Sequence, residues 1–262
     1  MSEWRTIGLS VVLLCALASA GCARVTTSER APPPPRAPAD MEEAARVNTE
    51  LGVAYAREGQ FDVAQEKLER ALQQNGNYAP AHSALAIVYQ QRRDPIKAEE
   101  HFQRALKLNP RDPHTRNNFG VFLCGQKRVD DAEALFLQAA ADPDYREPEA
   151  AFTNAGVCAR RIPDLDRAER HFREALALKP DFAEALAQMA SLYYERKDYL
   201  RARAFLQRYE RVGPPTAATL WIGAKVEFAL GDELAASDYA QRLKSAFPES
   251  EEHLNIAPRP AS

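Results

Sequence analysis

This 262-residue chain is poor in the side chains that chemistry demands. Tryptophan occurs twice and histidine five times, which is little material for a metal or aromatic site. No glycine-rich phosphate loop, no Gly-x-Ser-x-Gly and no His-Glu-x-x-His is present. Carboxylates are plentiful, but nothing in the order of residues sets a pair at working distance. His101 and His171, each just before a Phe, read as helix-surface residues. The expectation is a protein that is not an enzyme, with no cofactor, no metal and no small-molecule substrate. An excess of one charge is missing too. The 34 Lys and Arg against 37 Asp and Glu give a formal net charge of −3, so nucleic acid is not expected as a partner. The apolar run over residues 7–18 falls short of the roughly 20 residues that a membrane-spanning helix needs.

What the chain does have is helix-forming residues in a repeating order. Ala, Leu, Glu, Arg and Gln dominate. Around the middle of the chain stand Asn118, Phe119, Gly120 and Leu123, then Ala132, Phe136 and Ala139. The spacing predicts two amphipathic helices with a tight turn between them near residues 125–129. Small residues at 120 and 132 mark where the two helices press closest. One such hairpin cannot bury its apolar face alone, so neighbours of the same kind are required.

The neighbours are there. Gly52, Ala86, Gly120, Gly156, Ala190 and Ala224 occupy one small position. Ala64, Ala98, Ala132, Ala168, Ala202 and Ala236 occupy a second, and Leu68, Phe102, Phe136, Phe172, Leu206 and Ala240 follow four places on. Pro110, Pro180, Pro214 and Pro248 close four of the units. This 34-residue period, lengthened by two residues in the third unit, resembles the tetratricopeptide repeat. The resemblance implies an all-α, right-handed superhelix of six helix-turn-helix units beginning near Ala45, Ala79, Pro113, Glu149, Ala183 and Ala217.

The chain divides into four stretches. Residues 1–21 carry Arg5, the apolar run and small residues, the pattern of a secretory signal peptide. Ala18-Ser19-Ala20-Gly21 before Cys22 resembles the bacterial lipobox, with Ser19 where Leu is usual; an ordinary signal peptide is the alternative. The resemblance implies lipidation at Cys22, and Ala23 in place of Asp is compatible with the outer membrane. Residues 22–40 form a proline-rich tether, extended where prolines run together at 32–35. Residues 41–248 hold the repeats. Residues 249–262 are expected to be a flexible tail, or else a cap over the last helix.

Cys124 and Cys158 fall late in the first helices of units three and four. First helices of neighbouring units lie side by side in this architecture, so the thiols sit at nearly one height. They form either a disulfide or two buried small hydrophobes, and the secretory leader favours the disulfide.

Asn117-Asn118-Phe119-Gly120-Val121-Phe122-Leu123-Cys124, Asp131-Ala132-Glu133 and Asn154-Ala155-Gly156-Val157-Cys158 resemble the PilF/PilW lipoproteins of type IV pilus biogenesis. The sixth unit, with Leu220-Trp221-Ile222-Gly223, fits as well. The resemblance implies a pilotin on the periplasmic face of the outer membrane of a Gram-negative bacterium, lipid-anchored, that binds secretin subunits and promotes their localisation and multimerisation. A general periplasmic adaptor that recruits cell-envelope enzymes is the alternative.

In this repeat class the groove is lined by positions two, five, nine and twelve of each first helix. Position nine reads Val53, Ile87, Val121 and Val157 across the first four units, and Asn117 stands at position five of the third. These residues are the expected partner-binding groove, suited to an amphipathic helix or an extended peptide. Some of them pack between helices in the alternative reading. Position five of units one and four offers Thr49 and Thr153, and the last two units offer Tyr194, Trp221, Lys225 and Phe228.

Overall fold

The computed structural model describes residues 38–162 and 164–254. Helices account for all the regular structure among the described residues. They come in pairs: α1 (Pro38–Arg57) with α2 (Phe61–Gln74), α3 (Ala79–Gln91) with α4 (Pro95–Leu108), and α5 (Pro113–Gly125) with α6 (Val129–Ala140). Then follow α7 (Pro148–Ala159) with α8 (Leu165–Leu178), α9 (Ala183–Glu195) with α10 (Tyr199–Tyr209), and α11 (Ala217–Ala229) with α12 (Glu233–Ala246). A last turn, α13 (Glu251–Leu254), lies against α11 and α12.

Helix starts are written locally. Asp94, Asp112, Asp164, Asp198 and Asp232 each accept a backbone N–H from the first turn of the helix they precede. Pro95, Pro113 and Pro148 stand where the missing N–H costs nothing. Thr216 and Thr219 cap α11 reciprocally. Within the hairpins, Gly59, Arg93, Lys127, Lys197 and Gly231 take positive φ between 60° and 81°. They recur at the repeat period, so the tight turns of units one, two, three, five and six each use one left-handed residue. Pro163, the equivalent place in unit four, lies outside the described residues.

In units one, three, four and six, close approach inside the hairpin depends on a missing side chain. A Cβ on Gly120 would come within 2.7 Å of the Phe136 ring, and one on Gly52 within 2.6 Å of Leu68. Unit six departs from the expected register. Its packing pair is Gly223 with Tyr239, one residue earlier than Ala224 with Ala240. Glycine sits at 223, so the aromatic ring packs there, and its hydroxyl donates to Glu210 Oε1 at 3.0 Å.

Stacking the hairpins makes a continuous core. Each first helix meets the first helix of the next unit, from α1–α3 through α9–α11, and each second helix meets the first helix that follows. One apolar cluster runs through units one to four and another through units four to six. The two-residue insertion of unit three is anchored by Tyr145, which is buried beside Ala139 and Ala151 and meets His114 edge-on. Burial pushes its hydroxyl up to about 12.

Two expected boundaries move. α1 begins at Pro38, so it takes in the last three residues of the expected tether. The expected tail contains α13, whose place against α11 partly covers the end of the solenoid. Cys22 and the leader lie outside the described residues.

Candidate protein-binding groove

Because the first helices lie side by side, position nine of successive units traces one line across the solenoid. Val121 is 41% exposed and Val157 37%, whereas Val53 and Ile87 are half-buried and pack against the core. The stripe is thus most open on α5 and α7. Asn117 is half-buried and accepts a hydrogen bond from Asn154 Nδ2 at 3.0 Å, which ties α5 to α7 beside the stripe.

Position five behaves otherwise than the repeat rule suggests. Thr49 and Thr153 are buried, and their hydroxyls donate to Ala45 O at 2.7 Å and Glu149 O at 2.8 Å. They fold back on their own helices and leave the open surface to position nine.

Cys124 and Cys158 are buried on α5 and α7, joined by a disulfide with a Cα separation of 5.7 Å. That spacing is ordinary for a bridge. The two helices with the most open apolar stripe are therefore also the two that are cross-linked.

Past the stripe the surface turns polar. Arg160 donates to Gln188 Oε1 at 2.7 Å and to Ser191 Oγ at 3.0 Å, and it pairs with Glu195. An open cleft of about 400 Å³ lies at the start of α7, lined by Glu147, Glu149, Thr153, Lys179, Phe182 and Glu184. Lys179 Nζ stands 3.6 Å from Glu149 there. Beyond comes an aromatic group. Tyr194 meets Trp221 edge-on with ring centres 6.1 Å apart, Lys225 Nζ lies 5.5 Å from the Trp221 ring, and Phe228 is 64% exposed.

A ladder of ion pairs links each second helix from α4 to α8 to the turn or second helix of the next unit, and residue order alone did not reveal it. Arg128 pairs with Glu99 at 2.6 Å, Arg167 with Asp130 at 2.7 Å and with Glu133, and Arg196 with Glu169 at 2.6 Å. The partners stand 27 to 37 residues apart, roughly one repeat, and that spacing is the signal that was available. The histidines are not plain surface residues either. His171 is buried with Nε2 2.8 Å from Glu133 Oε1. His101 is half-buried with its Nδ1 2.9 Å from that of His82, so one ring donates to the other. Burial, then the neighbouring His82, draws His101 down to about 4.

Comparison with known proteins matches this architecture. Tetratricopeptide repeat models match residues 43–111, 83–146 and 164–220. The type IV pilus assembly protein PilF of Pseudomonas aeruginosa is 29% identical over 95% of this chain and 97% of its own length. A solved structure from the functional characterisation of P. aeruginosa PilF superposes with a TM-score of 0.72 at 30% identity, covering 82% of this chain and 97% of that one. The crystal structure of PilW, a widely conserved type IV pilus biogenesis factor, superposes at 0.73 with 31% identity, covering 81% of this chain and 97% of that one. With its six stacked hairpins and these relatives along nearly its whole repeat region, the chain belongs to the PilF/PilW family of tetratricopeptide-repeat proteins of type IV pilus biogenesis.

Proposed function

We propose that this protein is a pilotin: a non-enzymatic outer-membrane lipoprotein, anchored through Cys22, that binds secretin subunits and promotes their localisation and multimerisation. The observation that carries the reading is the apolar line of Val53, Ile87, Val121 and Val157, with Val121 and Val157 more than one-third exposed. An apolar strip on a rigid groove suits an amphipathic or extended segment of a partner. Its burial is worth roughly 25 cal/mol per Å², offset by the entropy of ordering the segment. The cross-link between α5 and α7 and the Asn117–Asn154 hydrogen bond support a pre-organised surface there.

Attachment and binding are separate in this reading. Lipid on Cys22 holds the protein to the membrane, and the residues up to 37 carry the repeats away from it. Cys22→Ala should release the protein from the membrane fraction without touching the groove. An intact mass showing an unmodified N-terminal cysteine would contradict the anchor.

Gene deletion tests the function against an adaptor for cell-envelope enzymes. Loss of surface pili and of secretin multimers is expected. Altered cell shape with pili and multimers intact would favour the adaptor.

A further inference from the structure

The outer face of α10 holds positive charge that its surroundings do not cancel. Residues 195–212 carry six Lys and Arg against three Asp and Glu, a local +3 on a chain of net −3. All three carboxylates are engaged: Glu195 by Arg160, Asp198 by Arg201 and the cap of α10, and Glu210 by Arg242 and Tyr239. Arg196 and Arg203 are engaged too, by Glu169 and Glu227. Lys197, Arg208 and Arg211 are exposed and pair with no carboxylate among the described residues. Arg208 donates to Pro180 O at 2.8 Å and lies over the Phe205 ring, which holds its guanidinium in place at the surface.

α10 turns Ala202, Leu206 and Tyr209 into the core, so Leu200, Arg201, Ala204 and Arg208 share the opposite face. Lys197 stands in the turn before the helix, and Arg211 and Val212 in the turn after it. Among the described residues α10 packs on α9 and α11 and on no other second helix, so its outer face stands open.

A face of one charge fits a partner of the other. An acidic peptide segment needs a groove to hold it, and an open helix face has none. A flat anionic surface meets all the cations at once. Leu200, 70% exposed, and Val212 stand near the two ends of the face, and apolar side chains among cations suit the headgroup layer of a membrane.

We propose that the outer face of α10 with its flanking turns, through Lys197, Arg208 and Arg211, docks on a bilayer surface that carries anionic headgroups. The contact leaves the apolar line free, since that line lies on α1, α3, α5 and α7. If Cys22 anchors the chain, this face decides which side of the repeats turns to the bilayer.

The test uses the full chain with Cys22→Ser, so that no acyl chain takes part. It is sedimented with vesicles of phosphatidylcholine alone and of phosphatidylcholine and phosphatidylglycerol in equal parts. Residues 1–21 are common to every variant, so differences between variants report the face. The parent should bind the mixed vesicles more tightly, and added salt should weaken that binding. Lys197→Gln/Arg208→Gln/Arg211→Gln should lose at least about tenfold in partitioning onto mixed vesicles. Arg208→Lys/Arg211→Lys should keep the binding, because the charge stays. Arg70→Gln/Lys107→Gln/Arg111→Gln changes the net charge equally at exposed positions elsewhere and should bind as the parent does. Equal binding to the two kinds of vesicle, a first glutamine triple that binds like the parent, or equal losses in both triples would overturn the proposal. So would a parent that captures a polyglutamate peptide and ignores the vesicles.

Discussion

Gly156 lies directly against Phe172: a Cβ at that glycine would stand 2.4 Å from the ring. Phe172 is fully buried, so the ring has nowhere to retreat. Gly156→Ala should lower the melting temperature, because overpacking costs about 1–3 kcal/mol and the helical preference for Ala returns only ~1 kcal/mol. Phe172→Leu in the same chain should restore part of the loss, since unit five already carries Ala190 and Leu206 at these two positions. Thermal unfolding of the single and double variants measures both effects.

The Cys124–Cys158 bridge closes a separation of 34 residues. Chain entropy assigns such a loop about 3–4 kcal/mol. The double Cys→Ser variant should unfold at correspondingly lower denaturant. Thiol labelling of the native oxidised protein should find neither cysteine reactive, and full labelling would refute the bond.

His101 gives the fold a pH dependence of definite sign. Its folded value, about 4, lies below the ordinary 6.5, because burial and His82 oppose its charge. The unfolded chain therefore binds more protons between those values. Stability contributed by the neutral ring is full above pH 6.5 and is lost as pH falls toward 4. His101→Gln should flatten the melting curve against pH in that window. An unchanged slope would contradict the assignment.

Glu133 holds two partners from the next repeat, Arg167 and the buried His171. Glu133→Ala should cost about 1–3 kcal/mol, since His171 loses its acceptor while Arg167 keeps Asp130. Chemical denaturation measures the loss, and an unchanged midpoint would contradict the ladder's contribution.

Much of the architecture is legible in residue order. The 34-residue spacing of small and aromatic positions marks the hairpins, and Asp or Pro before each run marks where most helices begin. Unit six shows where pattern runs out. Ala224 with Ala240 satisfies the spacing as well as Gly223 with Tyr239 does, and only contact distance distinguishes them. Thr49 and Thr153 fit a groove position by number, yet their hydroxyls bind their own backbone. The ion ladder was hidden for another reason. Charged residues are spread over the exposed surfaces of the helices, and which of them meet across a repeat boundary depends on the stacking.

In the proposed function, the apolar line across α5 and α7 is the surface that binds secretin. Calorimetric titration of the protein with secretin fragments tests it, comparing the parent with Val121→Glu/Val157→Glu. Both positions are more than one-third exposed, so the variant should keep its helical circular dichroism. The account predicts that the double variant loses at least about tenfold in affinity, or 1.4 kcal/mol. A folded variant that binds secretin as tightly as the parent would contradict it.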